Sequence, residues 1–139
     1  MTKTQRLALI TGGARGIGRA LALDLAAAGW DVALCWRTSE EAAAAVAREI
    51  EALGARALSI RCDVSDAQAC GALVERTVAE FGRLDALVNC AGPYHRAPLL
   101  EETLEGWHEM FDNNLHPVFY LSRMVAEPMV RPPPFLLTA

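Results

Sequence analysis

The stretch LALITGGARGIGRA, residues 7–20, places four glycines within seven residues, between an apolar run and a segment with helical spacing. The apolar run is short enough for a buried strand. Ile17, Leu21 and Leu25 recur at helical spacing, and Gly29 is a typical helix stop. The stretch therefore predicts a strand, a tight glycine-rich turn and a helix.

The glycines of this turn suggest a phosphate site. Without side chains at Gly12, Gly16 and Gly18, a pyrophosphate could approach backbone amides at the positive end of the helix. The alternative is a tight turn that only allows close helix packing. A P-loop would need Lys and Ser or Thr after the last glycine, but Arg19 and Ala20 stand there, so phosphoryl transfer is disfavoured.

Short β-type runs alternate with helical patterns along the rest of the chain. The predicted strands cover residues 6–11, 31–36, 55–62 and 86–89, and the first three helices cover 16–28, 38–53 and 65–81. This alternation predicts an α/β fold, a Rossmann-type doubly wound parallel sheet with right-handed crossovers. Ligands of such sheets bind at the carboxyl ends of the strands, near the switch point beside the first strand.

Two helix starts carry capping-box patterns, Thr38 with Glu41 and Ser65 with Gln68. The loop CAGPYHRAPL, residues 90–99, precedes a last helix. This helix is predicted to carry one apolar stripe and a kink at Pro117. The stripe consists of Trp107, Phe111, Leu115 and Val118.

Composition excludes several classes of function. The net charge is −4 and no Lys/Arg block occurs, so we expect no nucleic-acid or membrane partner. Glycines interrupt the apolar start before a signal peptide or a membrane span could form. The four cysteines show no CxxC spacing and are expected to be reduced and buried, which favours a cytoplasmic protein.

No metal is expected. His95, His108 and His116 lack metal-ligand spacing, and no carboxylate partner can be assigned to them. The sequence also contains no GxSxG or HExxH pattern, so hydrolase chemistry has no support.

Three motifs together resemble the short-chain dehydrogenase/reductase family: TGGARGIG at 11–18, CDV at 62–64 and NCAG at 89–92. They occur in the order typical of that family, and the match runs from about residue 6 to about residue 130. Among bacterial members the sequence is most similar to 3-oxoacyl-carrier-protein reductase-like proteins. The resemblance implies an oxidoreductase that uses a nicotinamide cofactor and acts on a small carbonyl or alcohol substrate.

The end of the second predicted strand bears on the choice of cofactor. A preference for a ribose 2′-hydroxyl usually comes from an acidic residue there, but Trp36 and Arg37 occupy these positions. Arg37 could pair with a 2′-phosphate, and Arg15 could form the other arm of a cationic clamp. NADP(H) is therefore favoured over NAD(H), the alternative being that Arg37 is a solvated loop residue.

The resemblance assigns further positions. Asp63, with Val64, is similar to the family's adenine contact, and Asn114 to the asparagine that helps hold a proton-relay water; the alternatives are a turn or cap residue and a helix residue satisfied by its neighbours. The family more often has Asn where Cys90 stands. The implied cofactor-binding residues are Gly12, Arg15, Gly16, Ile17, Gly18, Arg37, Asp63, Val64, Asn89, Ala91 and Gly92.

Members of the family reduce a carbonyl with a Tyr-x-x-x-Lys pair and an upstream Ser. The only lysine here is Lys3, and Pro98 and Met124 stand four residues after Tyr94 and Tyr120. The 139 residues therefore do not contain the complete pair. We expect catalytic incompleteness in the chain as given.

The sequence divides into a dinucleotide-binding portion, 1–130, and a divergent proline-rich tail, 131–139. Consecutive prolines forbid a central strand in the tail, so the sheet is predicted to be truncated after about four strands, as in a truncated or frame-shifted reading of a longer gene. The leading hypothesis is the cofactor-binding portion of an NAD(P)(H)-dependent oxidoreductase. The alternatives are a noncatalytic dinucleotide-binding or interaction module that pairs through its exposed helix with an intact relative and, more distantly, a Rossmann-like methyltransferase. The resemblance also implies a homo-oligomer.

Overall fold

The computed structural model describes residues 5–130, so Lys3 and the predicted tail, 131–139, lie outside the described residues. Four parallel strands form one sheet in the order β3-β2-β1-β4. The strands are β1 (Leu7–Thr11), β2 (Asp31–Trp36), β3 (Ala57–Arg61) and β4 (Ala86–Asn89). The helices are α1 (Gly16–Ala27), α2 (Glu40–Ala52), α3 (Ala67–Phe81), α4 (Leu104–Met110) and α5 (His116–Val130), with a π-turn (Phe111–Leu115) between the last two. The predicted Rossmann-type fold is confirmed.

Strand β1 lies at the centre of the fold and is buried on both faces. Leu7 and Leu9 point to one side, Ala8 and Ile10 to the other, and all four are fully buried. Continuous apolar sequence is what a strand needs when helices cover both of its faces. Helices α1 and α2 pack on the face of Ala8, and helices α3 and α5 on the face of Leu9. The carboxyl end of β1 is thereby directed to the glycine-rich turn.

Both predicted capping boxes are wrong in detail. The N-cap of α2 is Ser39 rather than Thr38, and its side chain makes no capping hydrogen bond. The N-cap of α3 is Asp66, whose Oδ1 accepts from two backbone N–H groups of the first turn. Ser65 instead donates its hydroxyl to Asp63 Oδ1 at 2.8 Å. Neighbouring hydroxyl and carboxylate side chains compete for the same cap, and tertiary contacts decide the outcome.

The predicted last helix is interrupted. The π-turn separates α4 from α5 and shifts the helical phase, so the predicted stripe holds only at its start, where the rings of Trp107 and Phe111 pack with their centroids 5.0 Å apart. Trp107 and Leu115 are each 54% exposed, whereas Leu121 and Val125 are the apolar residues by which α5 joins the core. Pro117 lies in the first turn of α5, where a proline is tolerated.

An ion pair fastens the amino ends of the central strands. Asp85 Oδ2 accepts the N–H of Leu7 at 2.7 Å, and Arg83 donates to both oxygens of the same carboxylate. Arg83 is the main cause of the lowered pKa of Asp85. The loop before β4 and the start of β1 are therefore held together at the amino-terminal end of the strands, opposite the glycine-rich turn.

Strand β4 is an edge of the sheet as far as residues 5–130 are concerned, as expected. No helix in this part of the chain combines the length and the apolar character that a bilayer span requires.

Candidate functional site

The turn between β1 and α1 is built from backbone alone. A Cβ atom at Gly18 would collide with the carbonyl oxygen of Gly12, and one at Gly12 would lie 3.0 Å from Ala91 Cα. Gly12 also has a φ of +63°, which side-chain-bearing residues rarely adopt. The first turn of α1 contains no acidic residue. Its positive end is therefore close-packed at the glycines and not neutralised by a carboxylate in its first turn.

A cavity of about 250 Å³ lies beside this turn, at the carboxyl ends of β1, β2 and β3. Two cations line it, Arg15 from the glycine-rich turn and Arg37 from the residue after β2. Arg61, at the end of β3, donates from Nε to the carbonyl oxygen of Arg37 at 3.2 Å. The loop that carries Arg37 is thus tied to the neighbouring strand, and the site has the charge required to hold an anion.

Asp63 lines the same cavity across from the arginines. Its Oδ1 accepts the hydroxyl of Ser65 at 2.8 Å and the N–H of Ser65 at 3.1 Å. The Ser65 hydroxyl, helped by this N–H, lowers the pKa of Asp63. The side chain is therefore an ionised hydrogen-bond acceptor with a fixed orientation.

The loop after β4 is fastened to β1 by one hydroxyl. Thr11 Oγ1 accepts the N–H groups of both Cys90 and Ala91, each at 3.0 Å, and Thr11 is 1% exposed. Ala91 in turn lies against Gly12. This contact sets the position of the loop relative to the glycine-rich turn.

Asn114 meets the end of that loop. It lies in the π-turn, donates from Nδ2 to the Met110 carbonyl at 3.0 Å, and directs Oδ1 toward Gly92. A Cβ atom at Gly92 would collide with this oxygen. The neighbouring Asn113 lines the cavity and donates from Nδ2 to the Glu109 carbonyl at 2.8 Å.

The structure brings most of the sequence-predicted site residues together. Those that line the cavity are Gly12, Arg15, Arg37, Asp63, Val64 and Gly92. Gly16, Ile17 and Gly18 form the first turn of α1, Asn89 ends β4, and Ala91 and Asn114 pack beside Gly12 and Gly92, respectively.

Other cavity residues were not predicted. Thr38 and Ser39 follow Arg37 directly and line the cavity, as do Ala14, Trp36, Pro93 and Asn113. The position of Thr38 and Ser39 directly after β2 could have indicated these two residues, whereas the capping-box pattern assigned Thr38 to the start of α2. Cys62, predicted only as part of the CDV motif, also lines the cavity.

The expectation that the histidines have no carboxylate partner was wrong for two of them. His95 Nε2 lies 2.7 Å from Glu102 Oε2, and His116 Nδ1 lies 3.0 Å from Asp112 Oδ1. The first pair is formed by a loop and has no sequence signal, whereas the second has the i,i+4 spacing of a helical side-chain pair and could have been predicted. Within residues 5–130, no three His, Cys, Asp or Glu side chains are placed to hold a metal ion.

Comparison with known proteins gives consistent results. The family model for short chain dehydrogenases matches residues 6–133. A 3-oxoacyl-(acyl-carrier-protein) reductase of Staphylococcus aureus is 39% identical over 129 residues, which are 93% of this chain and 52% of the relative. The enzyme of the same name from a Synechocystis species is 40% identical, with 92% of this chain and 52% of the relative covered.

Solved structures show the same relationship. A dehydrogenase/reductase from Sinorhizobium meliloti superimposes with a TM-score of 0.87 at 42% identity, covering 89% of this chain and 49% of that chain. A short chain dehydrogenase from Burkholderia cenocepacia in complex with NADP gives a TM-score of 0.86 at 41% identity, covering 92% and 53%.

The chain spans about half the length of the curated relatives that it matches. Over that half, the strand order, the glycine-rich turn and the family match agree. The chain belongs to the short-chain dehydrogenase family.

Proposed function

We propose that this chain is the cofactor-binding portion of an NAD(P)(H)-dependent oxidoreductase that acts on a carbonyl or alcohol. The observation that supports this most strongly is the contact of Gly18 with the Gly12 carbonyl at the start of α1. Together with the absence of an acidic residue from the first turn, it suits a pyrophosphate held by backbone amides. The bound dinucleotide would supply or accept the hydride.

The residues around this turn would hold the rest of the dinucleotide. Asp63 would accept the exocyclic amine of the adenine, with Val64 beside it, because its carboxylate is ionised and oriented by Ser65. The loop of Asn89, Ala91 and Gly92 would flank the cofactor ribose. The fixed position of this loop beneath Thr11 supports that role.

For the cofactor we propose NADP(H) rather than NAD(H). Arg15 and Arg37 both line the cavity, and Thr38 and Ser39 add hydroxyl donors next to Arg37. A phosphate monoester is well matched by guanidinium groups and hydroxyls. The NADP-bound Burkholderia cenocepacia relative is consistent with this choice.

Arg37→Gln tests the proposal. Loss of a charged hydrogen bond to a phosphate should weaken NADPH binding about 10- to 100-fold, with little change for NADH. Trp36 lines the same cavity, so quenching of tryptophan fluorescence would report binding. Arg48→Gln is the matched control because Arg48 is an exposed arginine on α2. Equal binding of NADPH by the Arg37 variant and the wild type would contradict the proposed preference, and no binding of either dinucleotide would contradict the function.

Asn114 is proposed as the proton-relay position of the complete oxidoreductase. Its Nδ2 is anchored on a backbone carbonyl, so Oδ1 keeps its direction toward the loop of Gly92. An anchored amide oxygen of this kind can hold a water molecule in place.

We propose a cytoplasmic location, which the free thiols of all four cysteines support.

Self-association through α4 and α5 is also proposed, because Trp107 and Phe119 are 54% and 68% exposed. Sedimentation at increasing concentration would test it, and a monomer throughout would contradict it. The second candidate function is a noncatalytic dinucleotide-binding module, for which the residues around the cavity would suffice.

A further inference from the structure

Three cysteines from different elements meet under the cavity. Cys35 is on β2, Cys62 follows β3, and Cys70 is in α3; all three belong to one buried cluster. The Cys70 thiol donates to the Val64 carbonyl at 3.3 Å, and Cys35 and Cys70 are both neighbours of Cys62 that influence its pKa. The described part of the chain contains no group of side chains suited to a metal ion. The cluster is therefore one of free thiols.

The three thiols differ in access. Cys62 lines the cavity and is 6% exposed, whereas Cys35 is 1% and Cys70 0% exposed. A small solute that enters the cavity thus reaches Cys62 first. Cys90 is more exposed than any of them but belongs to the loop after β4.

The hydrogen bonds also favour the thiolate at Cys62. The Cys35 thiol and then the Cys70 thiol lower the pKa of Cys62, although burial and the carboxylates of Asp63 and Asp66 oppose them. Burial raises the pKa of Cys90. Since the thiolate is the nucleophile, Cys62, on the cavity wall, is favoured over Cys90 as the first thiol to react with a small solute.

The backbone decides which neighbour can bond to Cys62. Cys35 pairs with Ile60 across the β2–β3 ladder, and Cys62 lies two residues further along. The strand spacing and the rise per residue put the Cα atoms of Cys35 and Cys62 about 8 Å apart, which exceeds the span of a disulfide. Strand β2 is paired on both sides and cannot shift. Cys70 lies in the first turn of α3, outside the strand ladder, so the register does not separate it from Cys62.

We propose that Cys62 and Cys70 form a peroxide-sensitive thiol pair whose oxidation closes the adenine end of the nucleotide site. The Cys62 thiolate attacks a peroxide oxygen, the O–O bond breaks, and hydroxide leaves and is protonated to water, so that Cys62 becomes a sulfenic acid. The Cys70 sulfur then attacks the Cys62 sulfur, the S–O bond breaks, and the departing oxygen takes the Cys70 proton and leaves as water. Two thiols are oxidised to a disulfide, and one hydrogen peroxide is reduced to two waters.

The disulfide would alter the cavity wall. In the reduced chain Cys70 donates its S–H to the Val64 carbonyl at 3.3 Å, and oxidation removes this donor. Asp63 and Val64, which line the cavity, lie between the two bonded cysteines. We expect about a tenfold loss of NADPH affinity, reversed by dithiothreitol. This second part rests on the proposed function, whereas formation of the disulfide does not.

The experiment treats the reduced 139-residue chain with hydrogen peroxide, blocks free thiols and maps disulfides by peptide mass spectrometry. A Cys62–Cys70 bond that dithiothreitol reverses is expected, without any nucleotide in the sample. A Cys35–Cys62 bond, a bond to Cys90, or sulfinic acid at Cys62 with no disulfide would overturn the proposal.

Variants and nucleotide binding complete the test. Cys70→Ala should leave Cys62 as a sulfenic acid that a dimedone probe traps, and Cys90→Ala should oxidise like the wild type. If the disulfide forms and the reduced chain binds NADPH but the oxidised chain binds equally well, the closing of the site is refuted. If the reduced chain does not bind NADPH, the proposed function fails while the thiol pair stands on the mapping alone.

Discussion

Gly18 lies so close to Gly12 that any side chain at position 18 would meet the Gly12 carbonyl oxygen. We therefore expect Gly18→Ala to displace the turn and to weaken NADPH binding at least about tenfold. Titration followed by tryptophan fluorescence measures this. Gly71→Ala is the control: it lies within α3 with no atom in the way of a Cβ, so it should bind normally and gain about 0.5–1 kcal/mol of stability.

Binding by Gly18→Ala at wild-type affinity would mean that the glycine-rich turn serves only to pack α1 against the sheet. That alternative was open from the sequence, since a glycine pattern cannot distinguish a binding loop from a tight turn. Position 37 was more informative, because a side chain directly after a central strand must point near the switch point. By contrast, the contact of His95 with Glu102 depends on the course of an irregular loop, for which the sequence contains no periodic signal.

At the scale of elements, the hydroxyl of Thr11 joins the end of β1 to the loop after β4. Thr11→Val keeps the shape and the strand propensity but leaves two N–H groups, those of Cys90 and Ala91, without this acceptor. We expect a loss of about 2 kcal/mol in the free energy of unfolding, measured by urea denaturation. Thr11→Ser retains the acceptor and should lose clearly less. Equal stability of the valine variant and the wild type would show that water satisfies both donors.

The other end of the sheet depends on Asp85, which accepts from Leu7 and pairs with Arg83. Asp85→Ala removes both interactions and should cost about 2 kcal/mol, whereas Glu80→Ala, which breaks an exposed pair with Arg56, should cost less than about 1 kcal/mol. Urea denaturation measures both.

This contribution of Asp85 should depend on pH in one direction. Its pKa is lowered in the folded chain, mainly by Arg83, so the folded state holds fewer protons than the unfolded state just below the ordinary pKa of about 3.9. The contribution is complete above that value and is lost as the pH falls through the lower folded pKa. The stability difference between wild type and Asp85→Ala should therefore shrink in acid, and a difference that grows instead would refute the assignment.

Elements with strong periodicity could be predicted almost to the residue: β2 and β4 have their predicted bounds, and α1 ends one residue early. The π-turn could not be predicted, because the spacing of apolar residues across 104–130 does not show where a helix widens. Its five residues rotate the apolar face of α5 away from the predicted stripe. The caps failed for a different reason, since three adjacent polar residues, 63, 65 and 66, compete for one helix start.

At the scale of the whole molecule, the parallel sheet followed from the alternation of strands and helices, whereas its strand order, β3-β2-β1-β4, was not predicted. What surrounds β4 and the exposed apolar side chains of α4 and α5 did not follow from this chain, which spans about half of its curated relatives. The cofactor site is accessible to local reasoning because β1, β2, β3 and their following loops supply nearly all of it. Substrate recognition offers no comparable motif in these 139 residues.

Because the chain supplies most of the cofactor site but no Tyr-x-x-x-Lys pair, the purified chain should bind NADPH without consuming it. Carbonyl reduction requires a proton donor held near the hydride acceptor, and no Tyr-x-x-x-Lys pair occurs in the 139 residues. NADPH absorbance would be followed with a small ketone and a 3-oxoacyl ester, in samples whose binding is verified by fluorescence. Consumption that scales with the chain and is abolished in Asn114→Ala would contradict the prediction and show that the chain has another proton donor. Consumption that persists unchanged in Asn114→Ala would contradict both this prediction and the proton-relay role of Asn114.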